Sequence, residues 1–213
     1  MPVLTGPGWR LECAAVLFDM DGTLVDSSRC VERVWRSWCQ RHGLDADALF
    51  RVSHGRRNHE TVALVADHLD VEREVADLVR AEEACVDGIS PVPGAHRLVA
   101  AFSAGRWAVV TSAWRRLADL RLSLAGLPRP DVLVTADDVR WGKPHPEGYL
   151  KASAELGFAS DECVVLEDAP PGLAAARAAG MRAVAVRTTM GDVRLQERWA
   201  VDDLTMLRFS EED

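Results

Sequence analysis

Short apolar runs recur along this chain at residues 14–18, 107–111, 132–135, 163–166 and 182–186, with amphipathic stretches between them. Each run is four or five residues long and does not alternate, the pattern of strands buried on both faces of a sheet. The stretches between the last four, such as 114–125 before Gly126 and 171–179 before Gly180, carry helical spacing and stop at the residue that favours a helix C-terminus. This βαβ rhythm predicts an α/β protein built on a doubly wound parallel sheet. The rhythm breaks once. Residues 27–89 hold no strand pattern but four helical ones, at 28–42, 45–52, 58–69 and 71–86. The predicted organisation is therefore a core of residues 1–26 and 90–213, with an inserted helical module of residues 27–89. Its return point is the turn-rich segment from Gly88 to Gly94, and two short connections let the module hinge.

The first run leads into Asp19-Met20-Asp21-Gly22-Thr23-Leu24-Val25-Asp26-Ser27. Aspartates are poor strand formers, so two at the mouth of a buried strand are costly unless a cation sits there. A divalent metal is the predicted cation. The run at 163–166 likewise ends in acids, Glu167 and Asp168, and ligands of open α/β sheets gather outside the carboxyl ends of the strands. Thr111-Ser112-Ala113 closes a third run with hydroxyls and backbone amides entering a helix, a natural cradle for a phosphate.

Charge narrows the partners. The net charge of −8 without any basic run excludes a nucleic-acid partner. No apolar run approaches the ~20 residues of a membrane span, and the chain does not open with a basic-then-apolar leader, so the expectation is a cytoplasmic protein without a membrane partner. An acidic protein that binds a phosphoester needs local cationic help. Of 25 basic residues only Lys143 and Lys151 are lysine, which singles out the compact charge of Lys143 in the stiff segment Trp141-Gly142-Lys143-Pro144-His145-Pro146-Glu147. Five cysteines, Cys13, Cys30, Cys39, Cys85 and Cys163, are odd in number and never spaced C-x-x-C. They read as reduced, mostly buried thiols rather than a disulfide frame or a zinc site.

Taken together, the motifs at residues 18–27, 111–113, 142–150 and 167–172 resemble, in order and spacing, those of the haloacid dehalogenase (HAD) superfamily. The inserted helices resemble the cap of its subfamily I. His54-Gly55-Arg56-Arg57, Gly142-Lys143-Pro144-His145-Pro146-Glu147 and Glu167-Asp168-Ala169-Pro170-Pro171-Gly172 are most similar to the group containing glycerol-phosphate, 2-deoxyglucose-6-phosphate and bacterial sugar phosphatases. The resemblance implies a Rossmann-like HAD core with the first strand between those ending at Thr111 and Glu167. It implies a Mg²⁺-dependent phosphatase of small phosphorylated sugars or polyols. By that resemblance Asp19 attacks phosphorus to form an aspartyl-phosphate, Asp21 is the proton carrier, and Thr111 and Lys143 hold the phosphoryl group. Asp19, the main-chain carbonyl of Asp21 and Asp168 are the implied metal ligands, with Glu167 supporting them. Ser112, His54, Arg57 and Asn58 are the candidate substrate contacts, His54 and Arg57 ahead of the rest. The partner is a small phosphorylated metabolite, and a monomer is expected, with a dimer as the alternative.

Other functions carry other signatures. A phosphosugar mutase of the β-phosphoglucomutase type has a histidine on the first cap helix where this chain has Val31. A phosphoglycolate phosphatase shares the core motifs. A dehalogenase lacks the second aspartate, and phosphonate hydrolysis calls for a cap lysine that residues 27–89 do not contain. A non-enzymatic phosphate-responsive module has no use for the full set of Asp19, Asp21, Lys143 and Asp168.

Overall fold

The computed structural model describes residues 1–189 and 197–211. In chain order the elements are β1 (Val3–Gly6), β2 (Trp9–Glu12), β3 (Ala15–Phe18), β4 (Val25–Asp26), α1 (Ser28–His42), α2 (Ala46–Ser53), α3 (Asn58–Val65), α4 (Val71–Ala84) and β5 (Ser90–Pro91). There follow α5 (Ala95–Val99), β6 (Trp107–Val110), α6 (Arg115–Leu124), β7 (Val132–Val134), α7 (Glu147–Leu156), β8 (Cys163–Glu167), α8 (Pro170–Ala178), β9 (Arg182–Val186), β10 (Trp199–Val201) and β11 (Arg208–Ser210).

Six strands form one parallel sheet in the order β10-β9-β8-β3-β6-β7. All four residues of β3 are buried because each of its faces carries a separate apolar layer. Val16 and Phe18 pack into one layer with Val109, Leu166 and Val184, whereas Ala15 and Leu17 pack into the other with Val110, Val165 and Ala185. This two-sided burial explains the unbroken apolar runs. Strand β3 lies between β8 and β6, with Phe18 beside Leu166 on one flank and Val109 on the other. Strands are added outward from β3 first through β6 and β7 and then on the other flank through β8, β9 and β10, and open α/β sheets bind ligands in the crevice at the carboxyl ends of the strands at such a switch point.

Helices α1 to α4 pack around their own apolar cluster, which includes Trp35, Trp38, Leu49, Val62 and Leu78. Helix α1 buries Cys30, Val34, Trp35, Trp38 and Cys39, the one-face spacing of an amphipathic helix, and stops at Gly43, whose φ of 67° is the left-handed cap glycine allows. Helix α3 is shorter than the pattern at 58–69 predicts. Asp70 caps α4 by accepting from the Arg73 amide in extended conformation, and the turn into that cap uses up residues 66–69. The two connections to the sheet pair with each other as β4 and β5, with Val25 opposite Pro91 and Asp26 opposite Ser90.

That pairing overturns the reading of five unpaired cysteines. Cys30, just beyond β4, and Cys85, just before β5, are brought side by side with Cα atoms 5.8 Å apart, a span a disulfide bridges. Cys13, Cys39 and Cys163 are free and buried. A second departure is the antiparallel sheet β11-β1-β2, whose polar residues keep any apolar run short. Among the described residues no helix is long and apolar enough to cross a membrane.

Candidate active site

Strand β3 delivers Asp19 to the crevice, where it is buried and its amide donates to the Leu166 carbonyl at 2.9 Å. The chain turns at once. Gly22, at φ 88°, donates to the Val25 carbonyl at 2.7 Å, and a β-carbon there would fall on the Asp168 carboxylate. Strand β8 ends in Glu167, followed by Asp168. Thr23 donates its hydroxyl to Oδ1 of Asp168 at 3.3 Å, Thr189 donates to Oδ2, and the Asp168 amide donates to Glu167 Oε2 at 3.0 Å. Lys143 enters from the loop before α7. Its Nζ lies 2.5 Å from Oδ1 of Asp19 and 3.1 Å from Oε1 of Glu167, over the ring of Tyr149. At the end of β6, Thr111 Oγ1 accepts from the Ala113 amide at 3.1 Å, and Ser112 donates to the Gly55 carbonyl of the helical module at 2.9 Å.

One ammonium thus stands among three buried carboxylates, and the titration of the group follows from that count. Burial pushes the Asp19 carboxyl up to about 8, with the neighbouring Glu167 adding to the rise. Burial raises Glu167 to about 7 against the pull of Lys143, and Asp168 to about 7 with Asp19 adding to it. Burial works against the charge on Lys143, but Asp19 and Glu167 outweigh it and hold its pKa well above that of an ordinary lysine. Carboxylate atoms of Asp19, Glu167 and Asp168 lie within 4.8 Å of one another. A hard divalent cation such as Mg²⁺ takes oxygen ligands of this kind, and two units of positive charge balance the excess the lysine leaves. The residues therefore fit such an ion.

Asp21 lives in a different environment. Ser27 donates to its Oδ1 at 2.6 Å, and Arg121 of α6 donates to its Oδ2 at 2.8 Å, so its side chain is held apart from the other three acids. A cleft of about 530 Å³ opens between the crevice and the helical module, lined by Asp19, Asp21 and Thr111 on one side and by Val31, His54 and Asn58 on the other. The Nδ1 of His54 lies 2.7 Å from the Phe50 carbonyl, and Asn58 donates to Glu82 at 3.0 Å. Arg57 is placed elsewhere. Its guanidinium leaves the cleft and donates to the carbonyls of Val139 and Arg140, joining the module to the loop that carries Lys143. Trp114 lines the cleft and also packs on the module's apolar cluster.

A family model for haloacid dehalogenase-like hydrolases matches residues 13–180. The chain belongs to the haloacid dehalogenase-like hydrolase family. It is similar to hexitol phosphatase A of Escherichia coli, 39% identical over 192 residues that cover 88% of this chain and 89% of the relative. It is also similar to glycerol-1-phosphate phosphohydrolase 1 of Saccharomyces cerevisiae, 37% identical over 210 residues, 93% of this chain and 84% of that one. Among solved structures, a hydrolase from Pseudomonas syringae superposes with a TM-score of 0.80 at 25% identity, covering 91% of this chain and 95% of the other.

This HAD-like hydrolase contains two site residues that sequence reading missed, Arg121 and Glu82. Both are charges on apolar helix stripes, Arg121 beside buried Leu117, Ala118 and Leu122, and Glu82 beside buried Val75 and Leu78. A charged residue at a core-facing position was the available signal. A further constraint is Gly172 in the first turn of α8, where a β-carbon would fall on the carboxyl group of Glu167. Gly172→Ala is expected to displace Glu167, lower stability by about 1–3 kcal/mol and slow turnover. A thermal melt with matched kinetics checks it, and an unchanged melting temperature speaks against the crowding.

Proposed function

We propose that this chain is a divalent-metal-dependent phosphomonoester hydrolase acting on small phosphorylated sugars or polyols, with α1 to α4 as the cap over its site. The observation that carries the reading is the division between the two aspartates of the first motif. Asp19 sits with Lys143, Glu167 and Asp168, while Asp21 is held separately and faces the cleft.

In this reading Asp19 attacks phosphorus in line and the ester oxygen departs, leaving an aspartyl-phosphate that water then cleaves. Asp21 gives its proton to the departing oxygen and afterwards takes one from the attacking water. Lys143, the Thr111 hydroxyl and the backbone amides beside Met20 and Ser112 hold the phosphoryl oxygens as negative charge spreads over them. Asp19, the main-chain carbonyl of Asp21 and Asp168 would hold Mg²⁺, with Glu167 orienting Lys143 and the Asp168 amide. When bound, the ion neutralises phosphoryl charge beside the nucleophile.

The leaving-group end of the cleft favours a neutral, hydroxyl-bearing group. Asp21, Glu32 and Glu82 line it against Arg56 and an Arg121 already engaged with Asp21, a balance that disfavours a carboxylate such as that of glycolate. Val31 faces the cleft without an acid or base to offer, which favours transfer to water over the mutase reaction. The hexitol and glycerol phosphatase relatives support the same class.

A panel of polyol and sugar phosphates, with p-nitrophenyl phosphate as the generic ester, tests the proposal with and without chelator. Chelation is expected to lower kcat by at least about 10²-fold, and added Mg²⁺ to restore it. Turnover indifferent to chelator overturns the metal, and inertness toward every ester overturns the hydrolase.

A further inference from the structure

Beside the phosphoryl-handling acids lies a buried polar group that the chemistry above leaves without a task. The side chain of Arg121 is 5% exposed. Its Nη1 donates to Asp21 Oδ2 at 2.8 Å, and its Nη2 lies 3.9 Å from Oε1 of Glu82 on α4. Glu82 is equally buried, and its Oε2 accepts from Asn58 on α3 at 3.0 Å. Among the described residues, Nε and Nη2 of Arg121 have no hydrogen-bond partner although both are buried. A leucine or methionine would fill this position on the stripe of Leu117, Ala118 and Leu122 without burying unsatisfied donors. The guanidinium is therefore a poor choice for packing alone. What it does accomplish is geometric: with Ser27 on one oxygen and Arg121 on the other, the Asp21 carboxyl has one orientation, and the same guanidinium reaches toward the cap.

We infer that Arg121 is a positioning residue that aims Asp21 at the leaving-group oxygen, and that its approach to Glu82 ties this aim to the seating of α4 over the cleft. The inference rests on the hydrolase reading above. In the step concerned, the bond from phosphorus to the ester oxygen breaks, its electron pair stays on that oxygen, and the proton of the Asp21 carboxyl moves to it, leaving Asp21 as carboxylate. A misaimed Asp21 harms an ester whose alkoxide needs that proton and spares one whose leaving group departs as a stable anion.

The test compares kcat and KM of wild type, Arg121→Met and Arg121→Lys on the best polyol or other alkyl phosphate and on p-nitrophenyl phosphate. Arg121→Met is expected to lose about 10²-fold or more in kcat on the alkyl ester, with KM within a few-fold, while p-nitrophenyl phosphate loses less than about 10-fold. Arg121→Lys keeps the charge without the fork and recovers part of the alkyl-ester rate. Should Arg121→Met not fold, Glu82→Gln, which removes only a charge, is read in the same way with a smaller change in the ratio. Equal losses on both esters, or none, overturn the inference while the hydrolase reading stands. A wild type active on p-nitrophenyl phosphate and on simple alkyl phosphates but on no sugar or polyol phosphate overturns the substrate class alone, and a wild type inert toward all esters overturns both.

Discussion

Asp19→Asn is expected to reduce turnover of every phosphoester by a factor on the order of 10⁴ or more, with the fold intact. The amide has the shape of the carboxylate but neither its charge nor its nucleophilicity, so the loss falls on kcat. Asp19 is buried at a sheet end where, among the described residues, Lys143 is its side-chain hydrogen-bond donor. Among the described residues the neighbouring carboxylates are constrained against taking over its attack: Glu167 is fully buried, Asp168 accepts from Thr23 and Thr189, and Asp21 accepts from Ser27 and Arg121. The structural cost runs the opposite way. Burial already holds the Asp19 carboxyl up to about 8, so a neutral amide relieves repulsion from Glu167 and Asp168. The variant is therefore expected to melt no lower than wild type in metal-free buffer while being inactive. Rapid-quench kinetics with a labelled ester checks the covalent step directly, since wild type accumulates acid-stable label on protein and Asp19→Asn does not. Near-normal turnover by the variant overturns Asp19 as nucleophile.

Much of this site was legible because its acids sit at strand ends, where chemistry and local structure are written in the same few residues. Phe18-Asp19 and Leu166-Glu167 each mark the point at which an apolar run meets charge, and the sheet turns both points toward one crevice. Lys143 was legible for a compositional reason, as one of two lysines in an arginine-rich chain and the one set in a stiff loop. Residues whose meaning depends on a distant partner were harder. Arg57 reads with His54 and Asn58 as one polar cluster, yet its guanidinium is taken by carbonyls 82 and 83 residues away. Arg121 and Asp21 are 100 residues apart, and nothing local to either announces the other. The N-terminal strands were missed because polar residues break up β1 and β2, and because β1 gains its second neighbour, β11, from the far end of the chain. Cys30 and Cys85 were separated for the same reason until the pairing of β4 with β5 brought them together.

Lys143→Met is expected to lower kcat by about 10²-fold or more, since a charge-assisted contact to the transferring phosphoryl group is worth several kcal/mol in a water-poor site. The same change reaches stability. The folded-state values of about 8 for Asp19 and about 7 for Glu167 and Asp168 lie above the unfolded value of about 4. Each carboxyl therefore contributes stability that is complete below about pH 4 and lost as pH rises through 7 to 8. The metal-free wild type is expected to soften over that window, and Mg²⁺ to restore it most at the alkaline end. Without the Lys143 ammonium the three carboxyls lose a cation that holds their pKa values down, so they stay protonated to higher pH and ionising them costs more. Metal-free Lys143→Met is then expected to match wild type near pH 5 and to melt well below it at pH 8, with Mg²⁺ closing part of the gap while kcat stays low. Melting curves across pH with and without Mg²⁺, read beside kcat, separate the two roles. A variant that melts like wild type at pH 8 and keeps its rate would return Lys143 to a surface turn, a position at odds with its burial against Asp19 and Glu167.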